Sequence, residues 1–285
     1  MTASVHRLSE LATCAGRGLV LGAAVQDGAG AVDLALASIV GEAEAGAGPI
    51  SSVTLRVTDR QGGAWIADAV RWVAGHGRRM ILRTTVPLPR EAISELRRHG
   101  VTVMLEIAHL DAAIGAALLG PGSASAASLL QHAQHLRAND LEVGVWLGPL
   151  MPAISDERAI TALVRHIVAA DLRDAHPVLG RLTPARLRGL IDAAPWPVVA
   201  TAARAYGIDP EQPEALPAGG VHLSPMADAA LRHALRRAAD AAGLRLDHCG
   251  CSAQCHLDPE QRPALVPLAP RDLFDRLDAG VGASR

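Results

Sequence analysis

Aromatic side chains are almost absent: the 285 residues hold one Tyr, one Phe and four Trp. Such a chain has no set of flat platforms on which successive bases could stack. It also lacks a basic run. Its 27 basic residues are scattered among 29 acidic ones, for a formal net charge of −2, so no stretch would neutralise a phosphate backbone. Nucleic acid is therefore not an expected partner. No apolar run approaches the roughly 20 residues that cross a bilayer. The start, Met1-Thr-Ala-Ser-Val-His-Arg7, has the form of neither a secretory signal nor a transit peptide. The expectation is a soluble, cytoplasmic protein with no membrane partner. Cysteine is scarce too, and three of the four thiols fall in one short stretch, which does not suit a disulfide framework. A Walker sequence, a Ser-nucleophile elbow and a His-Glu-x-x-His motif are all missing, so those reaction classes lose their best support. Gly28 and Gly30 follow a strand, but without the third glycine and ribose-binding acid of a dinucleotide fingerprint.

What is present is a regular alternation. Hydrophobic residues make up 49% and charged residues 20%, which suits a globular chain with a sizeable core. Apolar runs rich in Val, Ile and Leu stand at Gly18–Gln26, Ser52–Thr58, Arg79–Thr84, Val101–Ala108 and Glu142–Gly148, with a weaker one at His176–Leu179. Each reads as a strand buried on both faces, as in a parallel sheet. Between them Ala31–Val40, Trp65–Gly75, Arg90–His99, Ala124–Asn139 and Asp156–Ala170 carry apolar residues at helical spacing. Repeated βα units cross over right-handed, which leaves a doubly wound sheet or a barrel, with functional loops at the C-terminal ends of the strands. Those ends carry Asp27, Asp59, Thr84, Thr85, Glu106, His109 and Pro149. Asp and Thr there also serve as ordinary helix caps. After residue 180 the pattern changes to Ala- and Pro-rich helices at Thr183–Ala193 and Pro225–Gly243.

The stretch from Ser52 to Ala170 resembles the radical S-adenosylmethionine superfamily, in its spore-photoproduct-lyase-like branch. The resemblance is carried by Val53-Thr-Leu-Arg-Val-Thr-Asp59, by Met80-Ile-Leu-Arg-Thr-Thr85, by Val101-Thr-Val-Met-Leu-Glu-Ile-Ala-His-Leu-Asp111 with the following Leu119-Gly-Pro-Gly-Ser-Ala-Ser125, and by Leu141-Glu-Val-Gly-Val-Trp-Leu-Gly-Pro-Leu-Met-Pro152 with Asp156. It implies an α/β fold, a (β/α) barrel of the partial TIM type with about six parallel strands, in residues 1–180. Residues 181–285 would then be a helical, Cys-rich appendage packed on the barrel. The resemblance also implies ligand contacts at the barrel mouth by Asp59, Thr84 and Glu106. The family's reaction needs a Cys-x3-Cys-x2-Cys motif after the first strand, where three thiolates hold a [4Fe-4S] cluster with one open iron that binds S-adenosylmethionine. The corresponding segment here, Ala23-Ala-Val-Gln-Asp-Gly-Ala-Gly-Ala-Val32, contains no cysteine. The carboxylate expected after Asp59 and the Glu-Pro expected at Gly120-Pro121 are missing as well.

Near the C terminus, Asp247-His-Cys-Gly-Cys-Ser-Ala-Gln-Cys-His-Leu-Asp258 gathers three thiols and two imidazoles. Thiolate and neutral imidazole are preferred ligands of zinc, and thiolates of iron–sulfur clusters. Gly250 lets the backbone turn tightly between the first two sulfurs. Cys249, Cys251 and Cys255, with His248 or His256 as a fourth ligand, would close a zinc site; the three thiolates with an open position would suit a cluster. Cys14 reads as a lone core thiol. His132 and His135, one turn apart on a helix, and the arginine-dense His233–Arg245 read first as ordinary helix surface.

Three readings follow. The chain is a degenerate radical-S-adenosylmethionine-like barrel serving as an accessory or partner subunit of another protein, with a metal on its C-terminal cysteines. Alternatively it is a noncanonical enzyme whose [4Fe-4S] cluster sits on Cys249, Cys251 and Cys255 and cleaves S-adenosylmethionine. In the third reading it binds a small molecule at the barrel mouth and uses structural zinc.

Overall fold

The computed structural model describes residues 4–13, 16–24, 32–58, 63–212 and 216–246. The five strong apolar runs and the weak one are all strands, and the sheet has two more. In chain order they are β1 (Ser4–Thr13), β2 (Gly16–Ala24), β3 (Ser52–Val57), β4 (Arg79–Thr84), β5 (Thr102–Ile107), β6 (Val143–Leu150), β7 (Asp174–Leu179) and β8 (Arg245–Leu246). β1 pairs antiparallel with β2, and β2 to β8 run parallel. The protein is thus α/β, with a seven-stranded parallel sheet. β1 was not anticipated because Ser, His, Arg and Glu interrupt its apolar residues, and β8 because two residues carry no pattern.

The strand order decides between the two topologies that right-handed crossovers allow. Strands follow one another from β1 to β8 without a reversal. A doubly wound sheet reverses at a switch point and so places helices on both faces; an unreversed order places them all on one. The sheet here therefore curls as part of a barrel. Helices α1 (Val32–Ala47), α2 (Gly63–Gly75), α3 (Arg90–Arg98), α5 (Ala126–Arg137), α6 (Glu157–Ala169) and α9 (Pro225–Ala242) all enter one hydrophobic core with the sheet. Alternate residues of each strand supply the sheet's half of that core: Leu19 and Leu21, Val53 and Leu55, Leu82, Val103 and Leu105, Val145 and Leu147. Period-two alternation turns the residues between them to the opposite, inner face.

A second core forms beyond the strand ends, from α4 (Ala112–Leu119), α7 (Pro184–Ala193) and α8 (Trp196–Ala205). Neither α4 nor α8 was anticipated. The run Ala112–Leu119 is apolar on all sides, as suits a buried helix, and Gly189 of α7 lies so close to Ala117 that an added methyl would stand 3.2 Å away. α8 begins at Pro195-Trp196-Pro197, where proline is tolerated because the first turn's N–H groups have no intrahelical partner. The end of the described chain rejoins the sheet. Leu231, Leu235, Ala238 and Ala239 of α9 lie in the main core, Gly243 closes the helix with φ 71°, and β8 pairs with β7.

Candidate functional site

Every second residue of the central strands faces inward, and two successive levels of this inner face carry charge. Arg56 of β3 is in register with Arg83 of β4; Glu106 of β5 is in register with Trp146 of β6, and Trp146 with His176 of β7. A carboxylate only 2% exposed needs partners there. Glu106 has two. Arg56 grips it in bidentate fashion, Nε donating to Oε1 at 2.8 Å and Nη2 to Oε2 at 2.8 Å. Arg83 reaches Oε1 through Nη2 at 3.0 Å. The fork geometry suits arginine to this contact, since two parallel N–H donors match two carboxylate oxygens.

The clamp continues into aromatic rings. The Arg83 guanidinium lies 3.6 Å from the Trp146 ring centre, a cation–π contact. Trp146 in turn tilts by 35° against His176, with ring centres 4.2 Å apart. From α7, Arg186 donates through Nε to the Leu118 carbonyl at 3.1 Å and through Nη1 to the Arg181 carbonyl at 2.7 Å. Beside it, Tyr206 donates to the Gly180 carbonyl at 2.8 Å. Burial pushes the phenol's pKa up, and Arg186 pulls it back only in part.

The guanidiniums do not share one environment. Burial would lower the pKa of Arg56, but its hydrogen bonds to Glu106 and the charge of that carboxylate outweigh it, and the net shift is upward. For Arg83 burial wins: the attraction of Glu106 is offset by repulsion from Arg56, and the net shift is downward. Arg186 is also lowered, first by burial and then by the charge of Arg56. All three remain cations, because guanidinium does not deprotonate in proteins. Their placing records an excess of positive charge around one carboxylate.

The residues expected to contact ligand are placed differently from one another. Glu106 is on the inner face, with both oxygens taken up by arginine. Thr84 shares the helix-facing side with Leu82; its hydroxyl donates to the Val86 carbonyl at 2.6 Å and accepts from the Val86 N–H at 3.0 Å, closing its own turn. Asp59 lies outside the described residues, as do Asp27, Cys14 and the whole set of Cys249, Cys251, Cys255, His248 and His256. Asp111 and Asp156 are N-caps, of α4 and α6. His109 accepts the Asp111 N–H at Nδ1, 3.0 Å away, and burial lowers its pKa. The His132 and His135 rings lie 6.1 Å apart, but Nε2 of His132 accepts the Leu88 N–H at 2.9 Å and is not open to a metal. Beside Glu106 the end of β5 and the starts of α4 and α5 leave a shallow niche lined by Ala108, His109, Gly115 and Ser125.

Arg56, Arg83, Trp146, His176 and Arg186 were not singled out from sequence. A signal existed in Leu55-Arg56-Val57 and Leu82-Arg83-Thr84. A charge in the interior of a strand that is buried on both faces demands a partner.

Searches against family models and against curated proteins return no match. Solved structures do match. Spore photoproduct lyase in complex with dinucleoside spore photoproduct aligns with 13% identity and a TM-score of 0.50, over 79% of this chain and 67% of that one. A cysteine-to-serine mutant of the same enzyme aligns with 15% identity and a TM-score of 0.51, over 75% and 66%. The barrel is similar to that of spore photoproduct lyase. It has the α/β partial-barrel fold of radical S-adenosylmethionine enzymes, as the sequence resemblance implied. Streptococcus suis SuiB aligns with 11% identity and a TM-score of 0.40, and the chain spans 39% of its length.

That fold family implies a [4Fe-4S] cluster held by three thiolates. The described inner face offers guanidinium, carboxylate, indole and imidazole, and no thiol. Among the described residues no group of three or more His, Cys, Asp or Glu side chains could hold a metal ion. The donor set of this face does not fit the cluster. Among the described residues, too, no helix is long and apolar enough to cross a membrane.

Proposed function

We propose that the chain is a radical-S-adenosylmethionine-like barrel that binds a small molecule at its mouth and works as an accessory or partner subunit, with a metal or iron–sulfur centre on its C-terminal cysteines. The observation that carries this reading is the Arg56–Glu106–Arg83 clamp. It occupies the inner face of a barrel of this family with an ion-pair network, where an enzyme of the family would also need thiolates nearby. No cysteine stands between Cys14 and Cys249, so the thiols usual after the first strand are missing while the scaffold remains. Fold persists more readily than chemistry, because the core depends on many residues and the chemistry on a few.

Anaerobic purification with iron, sulfide and zinc analysis tests the reading, on wild type and on a Cys249/Cys251/Cys255→Ala variant, together with an assay for cleavage of S-adenosylmethionine. Metal present in the wild type, lost in the variant, and no cleavage is the expected result. Cysteine-dependent cleavage of S-adenosylmethionine would replace the accessory role with that of a noncanonical enzyme. Protein free of metal after reconstitution with iron, sulfide or zinc would remove the metal centre from the proposal.

A further inference from the structure

Among the described residues the inner face carries more positive charge than its acid can balance. Among the described residues Arg56 and Arg83 meet at the carboxylate of Glu106, Arg56 alone takes both of its oxygens, and the charge of Arg186 is felt at the same pair. Arg83 contributes one further bond to Oε1, and its side chain is only 12% exposed. Its Nε–H is buried and has no hydrogen-bond partner among the described residues. Arg186 spends two of its donors on backbone carbonyls and makes no ion pair with a carboxylate among the described residues. A buried donor left unmade is costly, and a buried cation without a counterion more so. An arrangement of this kind is favourable when an anion completes it.

We propose that the barrel's inner face is a receptor for the anionic group of a small ligand, a carboxylate or a phosphate, held by Arg83 beside the Arg56–Glu106 pair, with Arg186 close enough to that pair to add to the attraction. Glu106 does not bind the ligand in this scheme. It is a positioning residue, which fixes Arg56 and turns Arg83 so that the guanidinium stacks on Trp146. The Trp146 ring is itself covered by the Arg83 guanidinium and by the tilted His176 ring, so these rings hold the guanidinium in place beside the ligand. A cationic ligand is disfavoured by the same charges, since both oxygens of the one acid are occupied. The site lies on strands β3 to β7 of a parallel sheet in a barrel, the kind of place where α/β folds collect ligands. Arginine supplies every one of these contacts because the chain contains no lysine. The fixed fork of guanidinium reads a carboxylate or phosphate by two bonds at once.

This inference rests on the ligand-binding part of the function proposed above, and not on the metal or the accessory role. Isothermal titration of the full-length protein tests it, with inorganic phosphate and with succinate as probes, at constant ionic strength against chloride. Saturable binding with a Kd of about 1 mM or tighter is expected for at least one probe, and the preferred probe distinguishes a phosphate ligand from a carboxylate ligand. Arg186→Gln should weaken that binding by a factor of about ten, Arg83→Gln likewise, and Arg97→Gln on the exposed face of α3 should leave it unchanged. If Arg83→Gln fails to fold, Arg186→Gln decides the matter. Absence of saturable binding by either probe, or equal affinity in wild type and Arg186→Gln, would overturn the proposal, whatever the metal analysis shows.

Discussion

Glu106 shows how one side chain can tie three strands of a sheet together. Replacing it by Gln keeps the shape and removes the charge, so Arg56 and Arg83 are left facing each other with no counterion. Breaking a buried pair from one side costs about 3 kcal/mol or more. Urea unfolding of Glu106→Gln should show a loss of that size. His132 makes a different demand, for neutrality. Its Nε2 must remain an acceptor for the Leu88 N–H, and burial, assisted by the charge of His135, lowers its pKa from 6.5 to about 4. Above the higher value neither the folded nor the unfolded state binds the proton. As pH falls from about 6.5 towards 4, the unfolded chain takes up a proton that the folded chain refuses, and stability drops by roughly 1.4 kcal/mol per unit, about 3 kcal/mol in all. Unfolding free energy measured across this window should slope in wild type, and the slope should be shallower by that amount in His132→Gln.

Between neighbouring elements, the closest approach is made by glycine. β6 and β7 change register between Leu147 and Leu150, and Gly148 sits in that irregularity at φ 134°. A methyl group there would overlap the Val178 carbonyl oxygen, which is fixed backbone. Gly144, earlier in the same strand, would instead meet the Met104 sulfur at 2.8 Å, and a thioether side chain can move aside. Gly148→Ala should therefore cost about 3 kcal/mol or more, from strain and overlap together, and Gly144→Ala about 1 kcal/mol. Thermal unfolding that ranked the two the other way would contradict the geometry. The elements themselves were largely readable in advance. Runs such as Val101–Ala108 are apolar, short and bounded, and they became strands; Asp156–Ala170 has a cap, a helical stripe and a stop. α4 was missed because Ala112–Leu119 is apolar throughout and so lacks a period, and β1 because an edge strand is free to alternate irregularly with polar residues.

Across the molecule, the chain after residue 180 does two things that its composition does not announce. α7 and α8 build a second core at the strand ends, where Arg186 bonds the carbonyls of Leu118 and Arg181, while α9 returns to the main core and hands the chain to β8. Leu235→Ala should accordingly destabilise the protein by about 2 to 5 kcal/mol. Arg237→Ala, two residues on, removes only a surface ion pair to Glu157 and should change stability by less than about 1 kcal/mol. Equal, small effects in denaturant titrations would mean that α9 is not part of the core. The sequence by itself determined the repeated βα units, the parallel sheet and the lack of cysteines where radical S-adenosylmethionine enzymes have them, because these follow from local patterns of apolar, polar and sulfur-bearing residues. It also marked Glu106 as a polar residue at a strand end. Only the tertiary structure decided that Glu106 lies in a clamp of arginines from two other strands. Register across the sheet brings together residues 56, 83, 106, 146 and 176, and no local pattern encodes which side chains long-range pairing will make neighbours.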